Sequence, residues 1–162
     1  MQYWSLGSAA CLIAILISSP ARARAAAVDG KRCGKACRQT YRTLKFEDAP
    51  KGVFFGVQEC TSRLYQQSIY LCWDIHCAKE VWLAESASMN KTCQNIDESY
   101  YLAPHNIIDG LTDEDVAHIT RFNATSPGRT QAFDKLMLPS QDFYDLWRRT
   151  LVSTPFKSEK SI

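Results

Sequence analysis

Six of the chain's seven cysteines fall between positions 33 and 93, and that crowding limits the possible folds more than any other feature. They are Cys33, Cys37, Cys60, Cys72, Cys77 and Cys93; the seventh, Cys11, lies in an apolar run near the N-terminus. Leu6 to Ile17, LGSAACLIAILI, carries no charge and is followed by Pro20 and small residues through Ala27. This is the hydrophobic region of a secretory signal peptide, too short for a membrane span. Its n-region is atypical, because the first basic residues, Arg22 and Arg24, come after the apolar run. Small-x-small triplets place cleavage between Ala23 and Ala27, and we assign residues 1–25 to the signal peptide. Its removal takes Cys11 away and leaves an even number of cysteines. In an exported chain that pattern implies a disulfide framework. The expected location is therefore secreted or extracytosolic, at the cell surface or in a secretory lumen.

Six cysteines allow fifteen pairings, and sequence alone does not choose among them. One packing solution runs a helix bearing Cys33 and Cys37 antiparallel to one bearing Cys72 and Cys77, pairing outer with outer and inner with inner. Cys60 is then left for Cys93. All six lie in the first half of the mature chain, so the remainder must be held by packing. At about 135–140 residues the mature chain is one domain by size. We divide it into a cysteine-rich helical region, 31–151, and a polar C-terminal tail, 152–162.

Hydrophobic periodicity predicts an all-α fold of about five helices with long loops. From Cys33, CGKACRQTYRTLKF places Cys33, Cys37, Tyr41 and Leu44 on one stripe. Asp48, Pro50 and Gly52 mark a loop, after which Val53-Phe54-Phe55 reads as a short apolar plug docked on the core. A long helix is expected from about Val57 to Cys77. A third, AKEVWLAESASM, packs through Val81 and Trp82 or Leu83 and ends before Asn90. Pro104 sets an extended connection through Ile107-Ile108. Thr112 ahead of Asp113, Glu114 and Asp115 is a helix start, with a hydroxyl cap and acids where the helix dipole favours them. That helix reads DEDVAHITRF. A polar loop from Asn123 to Gln131 follows, and Ser140 caps a last helix carrying Phe143, Leu146, Trp147 and Leu151 at helical spacing.

The chemistry-bearing residues are few. Cys72-Trp73-Asp74-Ile75-His76-Cys77 brings together metal-ligand types, yet its spacing matches no standard zinc pattern and such thiols pair with one another when exported. A cysteine nucleophile needs a spare thiol beside a histidine, whereas six cysteines pair without remainder. His105 and His118 adjoin no nucleophile motif, and neither a G-x-S-x-G elbow nor a Gly-rich nucleotide loop occurs. We expect no catalytic, metal or cofactor-binding residue. The net charge of +2 is thinly spread, which argues against nucleic acid as a partner. Two sequons, Asn90-Lys91-Thr92 and Asn123-Ala124-Thr125, are expected glycan acceptors on loops. Asn90 is close enough to Cys93 for disulfide formation to compete with its modification.

The order Cys33-x3-Cys37, Cys60-Thr61-Ser62, Tyr70-Leu71-Cys72, Cys77 and Cys93 continues through Leu102-Ala103-Pro104, Ile107-Ile108, Thr112 to Ala117, Leu138-Pro139-Ser140, Phe143 and Arg149-Thr150-Leu151. It resembles the N-terminal extracytosolic domain of fungal ferric-chelate reductases, over nearly all of the mature chain. The individual motifs are short, and the resemblance rests on their order and spacing. It implies an ectodomain stapled by the six cysteines. In that family a membrane bundle with haem-holding histidines and cytosolic FAD and NADPH domains follow, and they reduce ferric or cupric ions. None of those cofactor motifs maps onto this chain, which ends about where the first span is expected to follow. The chain alone is then not expected to be active, and its partner would be such a membrane domain. The alternative is a free secreted cysteine-rich binding protein with an extracellular ligand. A haem-capturing eight-cysteine domain would need two more cysteines and a Cys-x-Cys element.

Overall fold

The computed structural model describes residues 32–125 and 131–153. The expected signal segment, part of the loop from Asn123 to Gln131, and the tail beyond residue 153 lie outside the described residues. The elements are α1 (residues 32–41), β1 (Lys45–Phe46), α2 (Phe55–Thr61), α3 (Arg63–His76), α4 (Lys79–Ile96), a 3-10 turn (His105–Ile108), α5 (Asp113–His118), β2 (Thr120–Phe122), β3 (Ala132–Phe133), β4 (Met137–Pro139) and α6 (Gln141–Ser153). The fold is mostly helical, as the periodicity predicts. Its few strands form two parallel ladders, β1 with β3 and β2 with β4. Strands of two or three residues are too short for alternation to register in the sequence. Among the described residues, no helix is long and apolar enough to cross a membrane.

Helix α3 is the axis of the molecule, with Tyr65, Ile69, Tyr70, Leu71, Cys72 and Trp73 all buried. Ser62 starts it by accepting a hydrogen bond from the Tyr65 amide, the side-chain cap that satisfies one of the first turn's unpaired donors. Two disulfides tie α1 to its far end, Cys33 to Cys77 and Cys37 to Cys72, with Cα atoms 5.7 and 5.9 Å apart. The third joins Cys60 on α2 to Cys93 on α4 at 5.4 Å. Outer therefore pairs with outer and inner with inner, and α1 runs antiparallel to the end of α3. The Gly34 carbonyl accepts from the Trp73 indole at 3.2 Å, and the glycine leaves room for Glu85 of α4. A Cβ at position 34 would lie 2.3 Å from the Glu85 Cγ.

Buried polar groups on α3 find partners from distant segments, as burial demands. The Tyr41 hydroxyl lies 2.9 Å from the carbonyls of both Ser68 and Met137 and shares its one proton between them, and the Ser68 hydroxyl accepts from the Met137 amide. Gln66 accepts from the Ala103 amide and donates to the Cys60 carbonyl. Gln58 closes the open side of β1, accepting from the Phe46 amide and donating to the Leu44 carbonyl.

Several local expectations are corrected. The helix expected from Val57 to Cys77 breaks at Ser62, which is extended at φ −83° and ψ 118°. Asp48 holds the break by accepting from the Ser62 hydroxyl and the Leu64 amide. The third helix runs through Asn90 to Ile96, because the Cys60–Cys93 bridge secures its final turns. Of the expected plug, only Phe55 packs on the core; Phe54 is 64% exposed and Val53 is exposed as well. Ile107-Ile108 lie in a 3-10 turn, whose Ile107 carbonyl accepts from Gln67. The helix starting at Asp113 ends at His118, and Thr120–Phe122 pairs as a strand. On α6, Tyr144 takes the buried place and Leu146 is 49% exposed.

Candidate functional site

The segment Cys72 to Cys77 is the densest collection of reactive residue types. Its two sulfurs are consumed by bridges to Cys37 and Cys33, and Asp74 lies on the exposed side of α3. The His76 ring stacks on Tyr144 of α6, centroids 3.9 Å apart and planes 8° from parallel. Burial pushes its pKa below the ordinary 6.5; the nearby Asp145 carboxylate opposes this, while Arg121 and Arg148 reinforce it. His76 therefore works as a neutral ring that docks α6. Among the described residues, no three metal-ligating side chains converge.

The other two histidines are apart from it in role. His105 stacks on Trp82 at 4.1 Å and meets Tyr70 edge-on at 5.3 Å. Its Nε2 is 3.8 Å from the Asp74 carboxylate and makes no closer polar contact. The connection after α4 is further secured by Tyr70, which donates to the Ala103 carbonyl at 2.9 Å. Burial raises the Tyr70 pKa, and the phenol remains a neutral donor. His118 sits at the end of α5 with Nδ1 2.7 Å from the Glu114 carbonyl.

The acids Asp113, Glu114 and Asp115 belong to the expected helix start. Thr112 accepts from the Asp115 amide, and the Asp115 carboxylate accepts from the Thr112 amide, a capping box. The hydrogen bonds from Thr112 hold the Asp115 pKa below its ordinary value.

A buried charged network escaped the sequence reading. Glu59, 2% exposed, accepts two hydrogen bonds from Arg38 at 2.6 and 2.5 Å and one from the Tyr65 hydroxyl at 2.9 Å. The bonded carboxylate raises the Arg38 pKa further. Burial, with the carboxylate beside it, raises that of Tyr65 well above the ordinary value. The available signal was Glu59 itself, an acid beside Cys60 on the inward face of a helix. The network forms one wall of an open groove of about 520 Å³, lined also by Lys35, Arg42, Phe55 and Glu85. Arg38 and Glu59 balance each other, and the groove as a whole sets Lys35, Arg38 and Arg42 against Glu59 and Glu85.

The two sequons differ in setting. Asn90 is half-buried within α4, where its side-chain oxygen accepts from the Leu102 amide at 2.9 Å, so its expected position on a loop is corrected. Asn123 stands exposed just after β2, its side-chain oxygen accepting from the Thr125 amide and hydroxyl at 3.0 and 2.7 Å.

The residues of interest thus lie in stapling, capping and docking positions, and the structure does not gather them into one centre. No protein-family model, curated protein or solved structure matches this chain.

Proposed function

We propose that this chain is an extracytosolic, disulfide-stapled helical domain that acts by covering or contacting a partner, the role of an ectodomain of the ferric-chelate reductase kind. One observation carries the reading: several of the short motifs that make up the resemblance are joints of a single fold. Cys60-Thr61-Ser62 is the bridged break between α2 and α3. Tyr70 and Cys72 connect the core to Ala103 and to Cys37. Thr112 to Asp115 is the capping box, and Leu138-Pro139-Ser140 joins β4 to α6. Sequence order alone would be weak support; joints that must coexist in one fold make it a stronger one. In this reading, haem, FAD and NADPH belong to other domains of such a reductase. Iron or copper uptake would be the process served.

The test has two parts. The purified full chain, with its disulfides formed, is expected to show neither haem nor flavin absorbance and no reduction of ferric chelate by NADPH. An open frame of apolar spans with spaced histidines past the codon for Ile162 would make the chain part of such a reductase. A stop codon there, with the protein recovered from the medium, would instead establish a free secreted binding protein.

A further inference from the structure

The structure separates two sequons that look equivalent in the sequence. Asn90 is built into the fold: it lies inside an eighteen-residue helix, half-buried, and fixes the returning chain through the Leu102 amide. Its neighbour Thr92 is turned back onto the Ser88 carbonyl at 3.0 Å, and Cys93 one residue further is bridged to Cys60. A bulky glycan on the Asn90 amide would press on the contact between α4 and the segment that returns along it. Asn123 has the opposite setting. It stands outside any helix, and Asn123, Ala124 and Thr125 are all exposed. Its side-chain oxygen accepts from the Thr125 amide and hydroxyl within the sequon itself.

We propose that Asn123 is the N-glycosylation site of this protein and that Asn90 is a structural residue left unmodified. The inference rests on the exported reading above. The donor is a lipid-pyrophosphate-linked oligosaccharide of the secretory lumen. The Asn123 amide nitrogen forms a bond to the anomeric carbon and gives up a proton, while the bond from that carbon to the pyrophosphate oxygen breaks and the lipid pyrophosphate leaves. A glycan at this place would stand just past the end of β2, where the chain is exposed.

The experiment expresses the full chain with its own N-terminus in a glycosylating host and reads the intact non-reduced mass before and after amidase deglycosylation, with peptide mapping. One glycan is expected, and the enzyme should convert Asn123 to aspartate. Asn123→Gln and Thr125→Ala should each lose the whole glycan mass. Asn90→Asp, which destroys the other sequon but keeps an oxygen for the Leu102 amide, should leave the glycan unchanged. A glycan mapped to Asn90, or a chain with three formed disulfides and no glycan, would overturn the inference while leaving the exported reading intact. A chain carrying neither disulfides nor glycan would overturn both.

Discussion

The region from α1 to α4 and the region that follows it are held by different means. The first is cross-linked three times, with both sulfurs of the inner bridge fully buried. The second, residues 97–153, carries no cysteine. It is fastened to the first by side chains aimed across the boundary: Tyr41 and Ser68 onto Met137, Tyr70 and Gln66 onto Ala103, His76 onto Tyr144. A covalent staple lowers the entropy of the unfolded chain, whereas these contacts stabilise only once the folded state has formed. The stapled region should therefore be the last to exchange its amides, and the second region should open first.

Breaking the fully buried staple tests that ordering most severely. Removing the inner bridge by Cys37→Ala with Cys72→Ala should cost about 3–4 kcal/mol in denaturant unfolding, the loop-entropy value for a bridge of this span. If the two regions then exchange at equal rates, the staples are the source of the difference. Glu59→Gln leaves the bridges in place but weakens the bonds from Arg38 and Tyr65. A loss of about 2 kcal/mol is expected from charged hydrogen bonds of this kind, with slow exchange lost in α1 and α2.

Tyr41→Phe attacks the boundary from the stapled side. It removes the hydroxyl that bridges the Ser68 and Met137 carbonyls and should lower stability by about 1–2 kcal/mol, with faster exchange in β2 and β4 ahead of α3. Equal acceleration in α3 would mean that the regions unfold as one. Thr112→Ala, within the second region alone, should cost about 1 kcal/mol and raise the Asp115 pKa toward its ordinary value in a carboxylate NMR titration.

The smallest effect is that of pH. The folded-state pKa of His76 is lowered, so the unfolded chain binds this proton more readily, and its contribution is complete above about pH 6.5 and declines as pH falls below that. Acidification should thus weaken the docking of α6 by less than about 1 kcal/mol, since the ring is partly solvated. His76→Phe keeps a ring against Tyr144 and should flatten that pH dependence. An unchanged slope in thermal unfolding would assign it to other groups.

Much of both regions was legible from their residues. The stripe Cys33, Cys37, Tyr41, Leu44 is buried throughout, and Thr112 and Ser140 cap the helices they precede. The break at Ser62 was not legible, because Asp48 supplies it from another segment. Nor was the continuation of α4 through polar residues, which needs the Cys93 bridge. Nor was the network on Glu59, which Arg38 and Tyr65 reach from α1 and α3.

Composition and local pattern by themselves determined that this chain is helical, that its cysteines form a framework and where most helices start, because periodicity and capping involve residues one or two turns apart. Tertiary structure alone decided which cysteines meet, where the helices break, which buried polar groups are satisfied and how the two sequons differ. Each of those depends on distances between segments remote in sequence, and a disulfide or hydrogen bond forms only when the fold brings its partners within a few ångströms.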